Sequence, residues 1–173
     1  MNLLSEFKGI TTFVFDIDGV ITDGTLLVLS ENLLARHMHV KDGFGLQMAM
    51  KSGYNLIIIS GGDSHEVKSR LQKLGLKDVY LSVGDKEQML NTILEGKNVQ
   101  WENVLYMGDD IPDIPPMRKA GMSCCPADAV HEVKSIARYI SPINGGWGCV
   151  RDVIEKVLKV NGNWEFDTEI ASR

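Results

Sequence analysis

The 173-residue chain is predicted to fold as an α/β protein with a doubly wound parallel sheet. Short apolar runs without polar alternation recur along the sequence, which is typical of strands covered on both faces. Longer segments with apolar residues at helical spacing separate these runs, and such alternation is typical of a doubly wound sheet. A domain usually has about 100–200 residues, so we expect one domain over residues 1–160 and a short tail over residues 161–173.

Four apolar runs are predicted to be the strands of this sheet. Each is rich in β-branched, aromatic or other large apolar residues and is followed by serine, glycine or an acidic residue. The runs are Thr12–Phe15, Leu56–Ile59, Val79–Leu81 and Val104–Met107.

Three apolar stripes at helical spacing are predicted to be helices. The first is predicted to begin after a cap at Asp63–Ser64 and to end at Gly75. Its stripe is formed by Val67, Leu71 and Leu74. The other two stripes are formed by Met89, Leu90, Ile93 and Leu94, and by Val150, Val153, Ile154, Val157 and Leu158.

Two segments interrupt the alternation. Residues 22–40 resemble two strands around a turn at residues 30–32, which predicts a β-hairpin inserted after the first strand. Ser141–Gly148 is rich in turn residues and is predicted to be a surface loop. The polar tail carries Trp164 and Phe166, and the sequence leaves open whether it is mobile or docks on a partner.

Composition narrows the function classes. There are 18 basic and 23 acidic residues, a net charge of −5, which argues against a general nucleic-acid binder. No apolar run approaches the length of a membrane span, and we see no secretory signal, so a cytoplasmic location and no membrane contact are expected. The three cysteines are a poor disulfide or zinc framework and are expected to be buried, reduced thiols.

The predicted strand ends carry polar side chains. The carboxyl ends of parallel strands share one edge of the sheet, where ligands usually bind. The residues expected there are Asp16, Asp18, Ser60, Gly61, Asp109, Asp110 and Asp113, with Lys86 opening the helix after the third strand. Neighbouring carboxylates repel one another, and Mg2+ together with a phosphate would balance them. The sequence therefore predicts a site for a divalent metal ion and a phosphoryl group.

The chemistry of these groups indicates roles in phosphoryl transfer. Asp16 is the candidate nucleophile, which would attack phosphorus and form an aspartyl-phosphate. Asp18 would protonate the leaving oxygen and later deprotonate the attacking water. Ser60, the backbone N–H of Gly61 and Lys86 would bind the phosphoryl oxygens.

Residues 13–20, FVFDIDGV, resemble the first signature of the haloacid dehalogenase superfamily. The other signatures follow in order at Ser60, at Lys86, and at Gly108–Asp110 with Asp113. The resemblance implies a Mg2+ ion held by Asp16, Asp109 and the backbone carbonyl of Asp18. Asp110 is an alternative ligand to Asp109. Asp113 is expected to orient Lys86 or metal-bound water, with an N-cap of the following helix as the alternative.

Further stretches resemble a group without a cap domain, the 3-deoxy-D-manno-octulosonate 8-phosphate phosphatases. They are DGVITDG at residues 18–24, VKDGFG at residues 40–45, ADA at residues 127–129 and GGWG at residues 145–148 with Arg151–Asp152. The resemblance implies a Mg2+-dependent phosphatase of lipopolysaccharide precursor synthesis. It also implies a homotetramer, assembled through the hairpin, in which neighbouring subunits complete each site.

One position departs from this group. Gly62 stands where many members have arginine after Ser–Gly, which leaves a nine-carbon sugar acid 9-phosphate as the alternative substrate. Arg70 and Lys73 match positions that meet the sugar carboxylate, and Lys41 is a further candidate for sugar binding. Exposed helix charges are the alternative for Arg70 and Lys73. Two other classes of protein remain: a phosphoryl-accepting receiver switch, which the acid–base group Asp18 disfavours, and a non-catalytic subunit.

Overall fold

A six-stranded parallel sheet forms the centre of the computed structural model, which describes residues 3–31 and 33–165. The strands in chain order are β1 (Thr12–Phe15), β2 (Leu27–Ser30), β3 (Leu33–Ala35), β4 (Asn55–Ile59), β5 (Asp78–Tyr80), β6 (Val104–Met107), β7 (Met122–Cys125) and β8 (Tyr139–Ile140). The strand order in the sheet is β5-β4-β1-β6-β7-β8, and β2 pairs with β3 outside it. The chain therefore winds from β1 to one edge and then returns to build the other, as predicted for a doubly wound fold.

Helices cover both faces of the sheet. They are α1 (Val40–Lys51), α2 (His65–Lys73), α3 (Lys86–Lys97), α4 (Ile114–Lys119), α5 (His131–Lys134) and α6 (Cys149–Val160). The apolar residues of α1, α2 and α6 share a core with Phe13 and Phe15, whereas those of α3, α4 and α5 share the opposite core with Val14. Alternate residues of β1 thus face opposite layers, which explains why the strand has no polar face.

The four predicted strands and the three predicted helices are present with bounds close to those expected. Strands β7 and β8 and helices α1 and α5 were not predicted, and α4 was expected only as a helix following Asp113. The sequence of β7, MSCC, lacks the branched apolar residues that mark the other strands. Gly43 and Gly45 weaken the helical pattern of α1, but a Cβ at Gly45 would stand 3.1 Å from the Arg151 side chain, so close packing of α1 on α6 favours glycine there.

The boundaries of α2 differ in part from the prediction. Ser64 occupies the N-cap position, but its side chain makes no cap hydrogen bond. Its hydroxyl is buried without a partner in the described chain. Gly75 follows the last turn with a φ of +104°, so the predicted helix stop is confirmed.

The predicted hairpin is present between β1 and α1. β2 and β3 pair antiparallel, and an isolated bridge between Thr22 and Met38 closes its base. Its first strand exposes large apolar side chains: Leu27 is 58%, Val28 is 69% and Leu29 is 57% exposed.

The segment at residues 141–148 corrects one expectation. It is a loop, but it does not lie wholly at the surface, because Ser141, Gly145 and Gly146 are buried. The Gly146 N–H donates to the Val20 carbonyl at 2.9 Å, and the Gly145 N–H donates to Asp128 Oδ1 at 2.9 Å. The loop therefore supports the turn that follows β1.

The start of the tail packs against the domain. The Trp164 ring lies over the Arg151 guanidinium, whose carbon is 4.8 Å from the ring centre, and Phe44 lies at the same distance. Residues 166–173, which include Phe166, lie outside the described residues. The three cysteines, Cys124, Cys125 and Cys149, are buried and free, as predicted.

Candidate active site

Three strand ends meet where the winding of the sheet reverses. Phe15 in β1 is level with Ile58 in β4 and Met107 in β6, so the residues after these strands lie side by side. Ligands of open α/β sheets bind at such a point. The side chains that this register brings together follow the three strands and are Asp16, Asp18, Ser60, Asp109, Asp110 and Asp113.

Lys86 joins two of the carboxylates. Its Nζ lies 3.0 Å from Asp16 Oδ2 and 2.7 Å from Asp113 Oδ1. The side chains of Lys86, Asp16 and Asp113 are 5%, 10% and 1% exposed. A buried charge is stable only when paired and hydrogen-bonded, and Lys86 supplies that pairing to both carboxylates and receives it from them.

Asp113 is held by four donors. Besides Lys86, the Tyr106 hydroxyl donates to Oδ1 at 2.7 Å. The N–H groups of Asp109 and Asp110 donate to Oδ2 at 3.0 and 3.3 Å. The carboxylate thus fixes both the lysine and the loop after β6. Sequence reasoning missed Tyr106, because a tyrosine within an apolar strand carries no local sign that its hydroxyl reaches a site.

Asp109 has the features of a metal ligand. Its Oδ1 is buried and has no hydrogen-bond partner among the described residues. One carboxylate oxygen from each of Asp16, Asp109 and Asp113 lies within 4.8 Å of the others. Gly19, at φ +87°, leaves room for Asp109, since a Cβ there would overlap its carboxylate. Mg2+ prefers hard oxygen ligands such as carboxylates, and Asp109 Oδ1 is free to serve as one. The residues of this cluster therefore fit the ion.

The carboxylates raise one another's pKa. Burial, together with the charge of Asp113, raises the pKa of Asp16 to about 7. Burial and the charge of Asp16 raise the pKa of Asp109 to about 8. Burial alone would lower the pKa of Lys86, but the carboxylates of Asp113 and Asp16 outweigh it and raise that pKa. A divalent cation would favour the ionised form of the carboxylates and offset the repulsion between them.

Asp18 is held from the hairpin side. Arg36 Nε donates to Asp18 Oδ1 at 2.7 Å, and Arg36 Nη2 lies 3.5 Å from Oδ2. The Thr22 hydroxyl is 3.3 Å from Oδ1. Sequence reasoning did not single out Arg36, because a lone arginine after a strand gives no signal of its partner.

A cleft of about 550 Å³ opens over this cluster. Ser60 and Gly61 line it on the β4 side, and Ser60 Oγ accepts a hydrogen bond from the Gly62 N–H at 3.2 Å. Asp110 also lines the cleft, while its Oδ1 accepts from the Ile111 N–H at 2.7 Å. The predicted phosphate-binding groups therefore share one cleft with the carboxylates.

The three predicted sugar-binding residues do not join this cleft within one chain. Arg70 lines a separate cavity of about 80 Å³ beside His39 and Asp42. Lys41 and Lys73 are exposed and line neither that cavity nor the cleft.

Comparison with known proteins assigns the family. The sequence pattern of haloacid dehalogenase-like hydrolases matches residues 78–154. The 3-deoxy-D-manno-octulosonate 8-phosphate phosphatase of Escherichia coli K12 is 32% identical over 161 residues, which cover 93% of this chain and 86% of the relative. The chain belongs to the haloacid dehalogenase-like hydrolases. The phosphatase of Haemophilus influenzae with the same name is 31% identical over 94% of this chain and 91% of its own length. The predicted fold and the predicted enzyme class, a phosphatase of this family, are therefore confirmed.

Solved structures support the same assignment. A 3-deoxy-D-manno-octulosonate 8-phosphate phosphatase from Moraxella catarrhalis, solved with a magnesium ion, a phosphate ion and a KDO molecule, superposes with a TM-score of 0.89. It is 32% identical, with coverage of 93% of this hydrolase and 92% of that chain. The Yersinia pestis phosphatase with the same name has a TM-score of 0.90 at 29% identity, with coverage of 93% and 87%.

Two further expectations can be compared with these findings. The carboxylate cluster of this hydrolase, in a family with a magnesium-bound member, confirms Mg2+ as its cofactor. Among the described helices, none is long and apolar enough to cross a bilayer.

Proposed function

We propose that this hydrolase converts 3-deoxy-D-manno-octulosonate 8-phosphate to the free sugar acid and phosphate. The observation that carries the proposal is the buried cluster of Asp16, Lys86, Asp113 and Asp109 beneath an open cleft. Relatives that are named for this reaction align with the chain over nearly its whole length. The reaction would supply the sugar acid for lipopolysaccharide precursors, and we propose that it takes place in the cytoplasm.

Asp16 is proposed as the nucleophile. Its Oδ1 accepts from the Ile17 N–H at 2.7 Å and its Oδ2 pairs with Lys86, so the carboxylate plane is fixed before substrate binds. An Asp16 oxygen would form a bond to phosphorus while the bond from phosphorus to the sugar oxygen breaks. Water would then attack phosphorus, and the bond between phosphorus and Asp16 would break to release phosphate.

Asp18 is proposed as the acid and base of the two steps. It would give a proton to the leaving sugar oxygen in the first step and take one from water in the second. Its side chain is 36% exposed, in contrast to that of Asp16, so it can exchange protons with solvent between the two steps.

The phosphoryl group would be held by fixed donors and positive charge. Ser60, Gly61 and Lys86 all line the cleft that contains Asp16, so the Ser60 hydroxyl, the Gly61 N–H and the Lys86 ammonium would supply these donors. Mg2+, held by Asp16, Asp109 and the Asp18 backbone carbonyl, would reduce repulsion between the nucleophile and the phosphate. Asp113 already has four donors, so we assign it to orienting Lys86, with Asp110 at the rim of the site.

The sugar end of the substrate would need a second subunit. Within one chain Arg70, Lys73 and Lys41 lie apart from the cleft, and the exposed apolar hairpin provides a surface for assembly. We therefore propose a homotetramer formed through the hairpin, in which a neighbouring subunit completes each site. Arginine is well suited to pair with the sugar carboxylate, which favours Arg70 among the three residues.

A nine-carbon sugar acid 9-phosphate is the second candidate substrate, and Gly62 is the observation that favours it. A Cβ at Gly62 would stand 3.2 Å from Asp18 Oδ2, so a side chain at this position would project beside the acid–base group. Glycine leaves that volume open to a longer sugar. The receiver-switch and non-catalytic alternatives receive no support, because the named relatives are phosphatases.

Phosphate release from purified protein tests the proposal. The assay would compare the octulosonate 8-phosphate, a nonulosonate 9-phosphate and a neutral sugar phosphate, each with Mg2+ and with a chelator. The proposal expects the highest kcat/KM on the 8-phosphate and loss of turnover without Mg2+. A higher kcat/KM on the 9-phosphate would transfer the assignment to that substrate, and equal values on all three esters would refute specificity for a sugar acid.

A further inference from the structure

The hairpin contributes a charged side chain to the catalytic loop. Arg36 follows β3, and its side chain is only 7% exposed although Leu27, Val28 and Leu29 in the first strand of the same hairpin are largely exposed. Its guanidinium faces inward and contacts Asp18 through Nε at 2.7 Å. A buried arginine is stable only with a partner, and Arg36 forms an ion pair with Asp18.

The backbone on both sides of Arg36 is fixed. β3 ends at Ala35, and Met38 forms the isolated bridge to Thr22, which itself lies 3.3 Å from Asp18. Arg36 thus sits in a short, restrained segment between two points of strand pairing. Its position relative to Asp18 is set by the base of the hairpin.

The two oxygens of Asp18 have different surroundings. Oδ1 is held by Arg36 Nε at 2.7 Å and lies 3.3 Å from the Thr22 hydroxyl. Oδ2 lies 3.5 Å from Arg36 Nη2, and it is the oxygen nearest to the Cβ position of Gly62, at 3.2 Å. Oδ2 therefore faces the loop after β4, where Ser60 and Gly61 line the cleft.

We propose that Arg36 is a positioning residue for Asp18, anchoring Oδ1 so that Oδ2 faces the leaving group. The inference rests on the proposed function, in which Asp18 transfers the proton. It assigns the proton transfer to Oδ2 and makes the hairpin base a part of the catalytic geometry. Planar, two-point contact is the property that distinguishes arginine from lysine in this position.

The test compares leaving groups that differ in their need for a proton. The octulosonate 8-phosphate is an alkyl phosphate, and its leaving group is a sugar oxygen that requires protonation. The leaving group of p-nitrophenyl phosphate is a stable phenolate that does not. Arg36→Met keeps the apolar stem and removes the donors. Arg36→Lys keeps the charge, and Arg138→Met removes a distant arginine that pairs with Glu6 at the same 2.7 Å distance.

The expected result is selective. Arg36→Met should lower kcat on the 8-phosphate by about 10- to 100-fold, within the range that general acid catalysis contributes, and should leave KM within about twofold. With p-nitrophenyl phosphate its first turnover should appear as a burst with a rate constant within about threefold of wild type, followed by slow turnover, because the second step still needs Asp18 as base. Arg36→Lys should recover part of kcat, and Arg138→Met should match wild type.

Other results would overturn the assignment. An equal loss on both esters without a burst, or a raised KM with unchanged kcat, would make Arg36 a structural or substrate-binding residue instead. Each comparison uses one preparation, so the ratio between the esters is independent of how much of a variant is folded. A wild-type chain inactive on both esters would refute the proposed function and this inference together, whereas active wild type with equal losses refutes this inference alone.

Discussion

Two regions of the hydrolase reverse the usual distribution of polar and apolar side chains. At the carboxyl ends of the strands, Lys86 and Asp113 have side chains that are 5% and 1% exposed. In the hairpin, Leu27 and Val28 are 58% and 69% exposed. Charged groups are seldom fully buried, and contiguous exposed apolar side chains commonly mark an interaction surface.

The difference between the regions lies in where each finds its partners. The buried charges are satisfied inside one chain, by each other and by Tyr106. Among the described residues, the apolar side chains of Leu27, Val28 and Leu29 in the hairpin remain largely exposed. The charged cluster of the candidate active site is therefore satisfied within a single chain, whereas we propose that the hairpin is covered by other copies of the chain. Changes made separately in the charged cluster and in the hairpin test this difference.

The largest effect is expected for Asp16→Asn. An amide cannot form the aspartyl-phosphate, so phosphate release with Mg2+ should fall by about 10^4-fold or more. Folding should persist, because the substitution keeps the shape of the side chain and removes a carboxylate that Asp113 repels. Circular dichroism and a melting curve would check this, and substantial residual turnover would contradict the role of Asp16.

The second effect concerns stability. Lys86→Met leaves the buried carboxylates of Asp16 and Asp113 without their cation, and breaking such a pair costs about 3–5 kcal/mol. Lys97→Met is the matched control, because the ion pair of Lys97 with Asp78 is partly exposed and should contribute about 0–1 kcal/mol. Urea unfolding would measure both. Similar losses of unfolding free energy in the two variants would show that the buried ion pairs of Lys86 stabilise the fold no more than the partly exposed pair of Lys97.

The third effect is a pH dependence of stability in the metal-free protein. The folded-state pKa values of Asp16 and Asp109, about 7 and about 8, exceed the usual value of 3.8. The folded state therefore retains protons that the unfolded state releases, and these groups should make stability fall as the pH rises from about 4 to about 8.

Mg2+ binds the ionised carboxylates, so it should reverse this loss. The rise in melting temperature on adding Mg2+ should be greater at about pH 8.5 than at about pH 6. Thermal melts at both pH values, with Mg2+ and with a chelator, would measure it. Asp109→Asn should reduce the difference, and an equal Mg2+ shift at both pH values would contradict the coupling between metal binding and these carboxylates.

The smallest effect on a single chain is expected in the hairpin. Leu27→Glu exchanges an exposed side chain, so the intrinsic stability of the folded chain should change by only about 0.5 kcal/mol. The assembly should nevertheless dissociate, which light scattering would detect as a lower mass. Ile140→Glu, at an apolar position that is 45% exposed on the edge strand β8, serves as the control. A wild-type protein that is monomeric and fully active would refute the proposed tetramer.

Sequence reasoning succeeded where local pattern and topology agree. β1 and β6 are continuous apolar runs buried on both faces, and the acidic residues after them could only meet at one edge of a parallel sheet. The cleft therefore contains Asp16, Asp18 and Asp109 as expected. The hairpin was predicted from its turn residues and flanking apolar runs.

Sequence reasoning failed where the role of a residue depends on a contact with a residue far along the chain. Helix α1 contains glycine because α6 packs closely against it, and the contact partner, Arg151, lies far along the chain. Tyr106, within a strand, and Arg36, just after one, have no local sign of a role until the fold places them beside Asp113 and Asp18. The loop at residues 141–148 has the composition of a surface loop, but its backbone hydrogen bonds bury part of it.

Identification of the phosphorylated residue tests the central claim most directly. Wild type and Asp18→Asn would be mixed with p-nitrophenyl phosphate and Mg2+, quenched in acid and digested for peptide mass analysis. The account predicts phosphate on Asp16, accumulating further in Asp18→Asn because the water attack lacks its base, and none in Asp16→Asn or without Mg2+. Phosphate release without a labelled Asp16, or a label on another residue, would contradict it.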